Sequence, residues 1–163
     1  MKKILSLVLL SSLATASAAG LTGTDRVFLA NAVRGNNYEM QAARLALRMS
    51  AAPDVRYYAN MMLRDHRKLG ANVKWAVAQA DSAMTLPKTV TYKQADMLRN
   101  LRLSGRHFNT VYRQQMIKSH NETYQLFDKY SRARQANPVL QNTISAAKPT
   151  VRMHWDHALQ LPR

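Results

Sequence analysis

The sequence predicts an all-α protein, a four-helix bundle with an extra short helix between the second and third long helices. Apolar residues recur every three to four positions over long stretches, which is the spacing of a helix with one buried face. The alternating pattern of strands is missing from the sequence. The longest connection lies between the second and third long helices. Short links with one longer connection are typical of an antiparallel, up-down-up-down bundle.

The first residues predict a secretory signal peptide over residues 1–19. Two lysines precede an apolar run at 4–13, and small residues typical of a cleavage site follow at 16–18. The run is too short to cross a bilayer as a helix of the mature protein, and no later stretch is apolar enough to be a span. We therefore expect a single exported domain at 24–162, located in the periplasm.

The first two long helices are predicted over residues 25–49 and 53–80. Thr24 is the expected N-cap of the first helix, because its hydroxyl can accept a backbone N–H of the first turn. Pro53 suits the first turn of the second helix, where the missing N–H is not needed.

The remaining helices are predicted over residues 92–103, 106–133 and 138–161. The first of these is the short extra helix, and a break is expected after it, where a glycine follows a serine. The last contains Pro149, which is expected to kink it.

Each long helix carries one polar residue on its apolar stripe. These residues are Glu39, His66, His120 and His154. Because each lies well inside its helix, we expect all four to meet near one level of the bundle. One carboxylate and three neutral imidazoles can form the ligand set of Zn, Mn, Fe, Ni or Cu. The open alternative is a hydrogen-bonded polar cluster that fixes helix register without a metal.

Two matching stretches surround two of these histidines. Residues 58–66 and 112–120 both read Tyr-x-x-x-Met-[Leu/Ile]-[Lys/Arg]-x-His, which places the three named side chains on one helix face. Met62 and Met116 are either core residues or soft ligands that would favour Cu(I).

Acids close to the histidines in sequence are candidate acceptors for the second ring proton of each imidazole. These acids are Asp65, Glu122 and Asp156. Asp65 has an alternative partner in an arginine, because adjacent residues on a helix point in different directions.

Several classes of site are disfavoured. The chain has no cysteine, which excludes thiolate-bound metals and cysteine nucleophiles. The di-iron signature Glu-x-x-His is absent, since Leu63 and Val151 stand three positions before two of the histidines. No glycine-rich phosphate loop is present, and no organic cofactor is expected. Whether the protein is an enzyme stays open.

The charge of the chain is strongly positive. It has 24 Lys and Arg against 9 Asp and Glu, for a formal net charge of +15. Such a surface attracts polyanions, so an anionic envelope component is a candidate partner. The basic residues are scattered along the helices rather than grouped in one tract, and a merely solvated basic surface explains them equally well.

The sequence resembles a family of exported bacterial proteins, domain of unknown function 4142, placed among the ferritin-like bundles. The resemblance rests on residues 28–46, 61–68, 108–120 and 148–154 and covers nearly all of the mature chain. It implies a ferritin-like four-helix bundle and supports the glutamate and three histidines as a shared polar set. It implies no established reaction, and the present chain is more basic than the family pattern.

Two functions follow as hypotheses. The first is an exported protein that binds a metal ion inside the bundle, for storage, sensing or protection of the envelope from stress. The second is a non-enzymatic basic envelope protein that binds anionic partners and uses the histidine cluster only for structure. The oligomeric state is not predicted by the sequence.

Overall fold

The computed structural model describes residues 20–162 and confirms the all-α prediction over that range. Five α-helices, one 3₁₀ turn and no strand are found in this part of the chain. The helices are α1 (Gly23–Met49), α2 (Pro53–Ala80), α3 (Tyr92–Leu103), α4 (Phe108–Ser131) and α5 (Pro138–Gln160). The predicted signal peptide lies outside the described residues.

The start of α1 differs from the sequence prediction. Thr22, not Thr24, is the N-cap, and its hydroxyl accepts the backbone N–H of Asp25 at 3.1 Å. The Asp25 carboxylate accepts the Thr22 backbone N–H at 2.8 Å in return, which completes a capping box. Asp25 is fully buried and also accepts the Tyr130 hydroxyl at 2.6 Å and the Asn137 N–H at 3.1 Å. These contacts tie the start of α1 to the end of α4 and the start of α5.

The other helix starts follow local signals. Pro53 occupies the first turn of α2. Thr91 caps α3 in a second capping box with Gln94. Gly105 begins the 3₁₀ turn before α4 with a φ of 53°, in the left-handed region where glycine is favoured. The last helix, α5, remains helical through Pro149.

Each of the four long helices packs against two others. The helix α1 packs against α2 and α4, and α5 packs against the same two helices. The short helix α3 lies on α1 and α4, and its Leu101 is fully buried. No helix of the described residues is both long and apolar enough to cross a membrane.

The apolar core is divided into two clusters by a polar layer. One cluster contains Tyr38, Met62, Met116 and Ala158, together with the residues around them. The other contains residues nearer the opposite ends of the same helices, such as Phe28. Along every long helix, the residue predicted as polar and inward-facing falls between members of the two clusters. The structure therefore places the candidate site at mid-height among four helices.

Candidate metal centre

Three histidines from three helices form a compact buried group. His66 on α2, His120 on α4 and His154 on α5 are at most 3% exposed. Their ring centroids are 5.1 to 5.9 Å apart. One nitrogen from each ring lies within 4.8 Å of the others. This group is compatible with a bound metal ion.

Two of the rings are oriented by carbonyl oxygens. His66 Nδ1 lies 3.0 Å from the side-chain oxygen Oδ1 of Asn36 on α1. His120 Nδ1 lies 2.8 Å from the backbone oxygen of Met116, one turn earlier on α4. A carbonyl oxygen only accepts, so both Nδ1 atoms carry the proton and both Nε2 atoms keep a lone pair.

The third ring is oriented by a carboxylate. His154 Nε2 lies 3.0 Å from Oδ2 of Asp65, on the neighbouring helix α2. Burial acts to raise the pKa of Asp65, but hydrogen bonds from Arg64 and His154 outweigh it and hold that pKa below its usual value. Asp65 is therefore ionised at neutral pH and accepts the Nε2 proton, so His154 keeps its lone pair on Nδ1.

The nitrogens that keep lone pairs are also the ones without a partner. Within the described chain, no hydrogen bond reaches His66 Nε2, His120 Nε2 or His154 Nδ1, and all three atoms are buried. Unpaired buried polar atoms are costly, on the order of 1–3 kcal/mol each. Three such atoms in one small group therefore point to a species that satisfies all three together.

Glu39, the fourth candidate ligand, lies beside two of the histidines and Ser119. Its Oε1 accepts the Ser119 hydroxyl at 2.7 Å. Its oxygens lie 3.5 Å from Nδ1 of His66 and 3.6 Å from Nδ1 of His120, so they face the protonated nitrogens. Glu39 is also not among the residues whose ligand atoms lie mutually within 4.8 Å. The buried Glu39 side chain thus lies on the Nδ1 side of two of the imidazoles.

A close approach of α1 and α2 brings Asn36 to His66. A Cβ atom at Gly70, one turn after His66, would lie 3.3 Å from the Asn36 amide nitrogen. That is tighter than ordinary contact, so a side chain at Gly70 would push Asn36 aside. Gly70 therefore helps to fix the acceptor that sets the His66 tautomer.

Burial keeps two of the imidazoles, His66 and His154, neutral. It lowers the pKa of His66 well below its usual value of 6.5, and the neighbouring His120 and His154 lower it further. Burial also lowers the pKa of His154 to about 4, outweighing the Asp65 hydrogen bond that acts to raise it. Neutral imidazoles have the free lone pairs that a metal requires, so these two rings are prepared for ligation at pH 7.

A cavity of about 380 Å³ adjoins the group on one side. It is walled largely by apolar residues such as Leu69, Ile144 and Val151, and its polar lining includes Asn36 and His66. The cavity therefore leads from the space between the helices toward one member of the histidine group.

Two of the predicted acceptors lie beside basic residues instead of histidines. Glu122 is exposed and lies 4.0 Å from Lys118, and Asp156 pairs with Arg152 at 3.0 Å. Neither acid contacts a histidine of the group. Asp65 does act as an acceptor, but for His154 rather than for its neighbour in sequence, and it also pairs with Arg64 as the alternative prediction stated.

The two methionines pack in the apolar cluster below the histidines. Met62 and Met116 are both completely buried in that cluster. Neither residue lines the cavity. Tyr58 and Tyr112, from the same matching stretches, contact each other edge to face at 6.0 Å. The repeated Tyr-x-x-x-Met pattern therefore builds the packing beneath the group.

Sequence reasoning missed two acceptors that orient the rings and one hydroxyl that donates to Glu39. Asn36 lies three residues before Glu39 on the same face of α1, and that spacing was the available signal. Ser119 precedes His120 directly, but nothing local indicates that it reaches α1. The Met116 backbone oxygen carries no sequence signal.

The metal-free protein is expected to lose stability between pH 7 and pH 5. The folded-state pKa of His154, about 4, lies below its ordinary 6.5, so the unfolded chain binds more protons in this window. The free energy of unfolding should therefore decrease as the pH is lowered from 7 to 5, by about 2 kcal/mol for His154 alone. Urea titrations in the presence of a chelator measure this change.

Two variants calibrate that measurement. Replacing His154 with glutamine removes the titrating group, so the variant should show a smaller difference between the two pH values. His107→Ala removes an exposed histidine outside the group and should retain the wild-type difference. Equal pH dependence in wild type and His154→Gln would contradict the argument.

An all-helical protein with a buried group of three histidines is compatible, by fold and site, with a metal ion held between its helices. The family model described as "Domain of unknown function (DUF4142)" matches residues 10–161. The chain therefore belongs to that family, as the sequence resemblance indicated. Comparisons with curated proteins and with solved structures found no match.

Proposed function

We propose that the protein binds one transition-metal ion through His66, His120 and His154. The observation that carries the proposal is the coincidence of two properties in one group. Each imidazole has an acceptor for the proton of one ring nitrogen, and its other nitrogen is buried without a partner. One nitrogen of each ring also lies within 4.8 Å of one nitrogen of each of the other two. Metal-binding histidines characteristically have such outer acceptors.

The donor set limits the metals that fit. Ligand nitrogens at a tetrahedral zinc site are about 3.3 Å apart, given Zn–N distances near 2.0–2.1 Å. One nitrogen of each ring lies within 4.8 Å of the others, so a bound ion would draw the three rings closer together. An all-imidazole set suits Zn, Cu, Fe or Ni, whereas Mn prefers carboxylate oxygen. Because Glu39 lies behind the rings, Mn is the least suitable of the five predicted metals.

Three protein ligands leave a coordination position open for water or a small molecule. The cavity beside His66 supplies space on that side of the group. Storage, sensing or protection of the envelope from stress are all consistent with reversible occupancy of such a site. The three histidines would bind the metal, and Asn36, the Met116 backbone oxygen and Asp65 would hold the ring protons in place.

We further propose a ferritin-like antiparallel four-helix bundle, with α3 as the extra helix, as the single domain at 24–162. Support comes from the closed ring of contacts among the four long helices and from the family membership. We also propose export to the periplasm, supported by the lysines, apolar run and small residues of positions 1–19.

Elemental analysis of untagged protein, isolated from the periplasmic fraction, tests these proposals. We expect close to one metal ion per wild-type chain and almost none in a His66→Ala/His120→Ala variant. An intact mass lacking the first 18 or 19 residues is expected in the same preparation.

Two further measurements keep this test decisive. Circular dichroism establishes that the double variant is folded, and His107→Ala, which changes an exposed histidine, serves as the matched control that keeps its metal. Wild-type protein without metal, and without a thermal shift on adding Zn, Cu, Fe, Ni or Mn, would contradict the proposal. The histidines would then form a polar core cluster.

The charge supports a second candidate function, binding of an anionic envelope component. The formal net charge is +15, and most of the described acids already pair with a basic residue or lie buried. Salt screens such binding steeply but has little effect on an ion held by buried imidazoles. The two functions are therefore separable by ionic strength.

A further inference from the structure

A groove between α1 and α3 concentrates positive charge beside exposed apolar surface. We call it the arginine groove; it encloses about 630 Å³. Its arginines are Arg44 and Arg48 on α1 and Arg99 and Arg102 on α3. Four guanidinium groups around one depression repel each other, which is unfavourable unless anions compensate them.

Acidic residues offer little compensation at this groove. Asp96 pairs with Arg99 at 2.8 Å, but both side chains are more than 60% exposed. Within the described chain, no acid lies within ion-pair distance of Arg44, Arg48 or Arg102. Basic residues elsewhere do find acids: Arg26 pairs with Asp81, for example.

Helix ends explain only part of this arrangement. Arg48 and Arg102 lie in the last turns of α1 and α3, where a cation interacts favourably with the helix dipole. The helix dipole does not explain Arg44 and Arg99, because they are one turn earlier along their helices. The groove thus gathers more cationic charge than capping requires.

The floor and rim of the arginine groove are apolar. Leu45 and Leu98 line it, and Leu103 at its edge is 74% exposed. Val90 is shared with an adjacent depression that contains Tyr92, which is 95% exposed. Large apolar side chains exposed beside cations are typical of surfaces that enter the interface of an anionic membrane.

The helix that carries half of the groove is firmly held. Leu101 of α3 is fully buried, and Gln115 of α4 donates to the Met97 backbone oxygen at 2.9 Å. Gln115 also accepts the Tyr38 hydroxyl of α1 at 2.8 Å. The arginine groove is therefore built on a fixed platform rather than on a free loop.

We propose that the arginine groove docks the protein onto an anionic phospholipid surface. Guanidinium groups bind the lipid phosphates, and Leu103 and Tyr92 enter the interfacial region beside them. Lipid fits better than nucleic acid, because the floor presents leucines rather than aromatic rings for bases to stack on. This inference rests on the second candidate function, binding of an anionic envelope component; the site is separate from the histidine group and would operate whether or not a metal is bound.

Vesicle co-sedimentation tests the proposal with purified protein. We expect binding to vesicles that contain phosphatidylglycerol and little binding to pure phosphatidylcholine at the same ionic strength. An Arg44→Gln/Arg48→Gln/Arg102→Gln variant should bind at least about tenfold more weakly, since each basic residue near an anionic surface contributes substantially. Leu103→Ser, which changes no charge, should also weaken binding.

A charge-matched control separates the groove from the overall charge. Lys68→Gln/Lys129→Gln/Arg134→Gln removes three exposed basic residues that do not line the groove, and it should bind within about threefold of wild type. Equal losses in the two triple variants would overturn the proposal in favour of diffuse charge.

Two competition experiments distinguish other anions. Inorganic phosphate at millimolar concentration should not displace the vesicles, and displacement would reduce the groove to a site for small ions. Groove-dependent binding of duplex nucleic acid that exceeds vesicle binding at the same salt would identify a different partner. Unchanged metal content in the groove variants would show that this test is independent of the histidine site.

Discussion

Replacing Asp65 with alanine is expected to weaken metal binding by about 10- to 100-fold. Asp65 accepts the Nε2 proton of His154 at 3.0 Å and so keeps the Nδ1 lone pair directed into the histidine group. Without the carboxylate, the ring is free to take the other tautomer and to rotate. Isothermal titration of chelator-treated protein with Zn²⁺ measures the change in affinity.

Asp156→Ala is the matched control for this experiment. Asp156 is closer to His154 in sequence, yet it pairs with Arg152 on the surface. We expect this variant to bind metal as wild type does. An equal loss in both variants, or no loss in Asp65→Ala, would show that the carboxylate at position 65 does not orient a ligand.

Replacing Asp25 with alanine is expected to lower the free energy of unfolding by about 3–5 kcal/mol. The substitution abolishes the capping box of α1 and removes the buried acceptor of the Tyr130 hydroxyl and the Asn137 N–H. Such a loss is a large fraction of the 5–15 kcal/mol typical of a domain. Urea unfolding should show a midpoint lowered by about 2 M.

Thr24→Ala is the control for the cap. Thr24 is exposed and makes no capping contact, so its replacement should change stability by less than about 0.5 kcal/mol. If Asp25→Ala and Thr24→Ala have the same free energy of unfolding, the role assigned to the buried carboxylate is contradicted.

The effect of Asp25 also depends on pH. Burial acts to raise the pKa of Asp25, but hydrogen bonds from Tyr130, Thr22 and Asn137 outweigh it, so the folded-state pKa lies below 3.8. A lowered carboxyl pKa gives stability that is present above the unfolded value and is lost as pH falls below it. The difference between Asp25→Ala and wild type should therefore shrink in strong acid.

The helices could be predicted because their signals are local. Apolar spacing gives the helical stretches, and Pro53 and Pro138 mark two starts within the sequence itself. The cap of α1 could not be predicted in the same way, because two threonines lie within three positions of each other. Thr22 is favoured as the cap because its capping-box partner Asp25 also binds Tyr130 and Asn137, which are distant in sequence.

The three histidines could be predicted as a group because each lies on an apolar stripe. The position of Glu39 on the Nδ1 side of two rings could not be predicted, since a stripe position does not tell which side of a ring a carboxyl group faces. Glu122 and Asp156 each follow a histidine by two residues, which on a helix is a rotation of about 200° and points them away from it. Asp65 reaches His154 only because α2 and α5 are packed together.

The three histidines lie on three different helices and are far apart along the chain. An ion held by all three would act as a cross-link in a protein that contains no cysteine. It would close the long segments from His66 to His120 and from His120 to His154, which removes loop entropy from the unfolded chain. The lifetime of the folded state would then depend on metal supply, as that of a disulfide-bonded domain depends on oxidation.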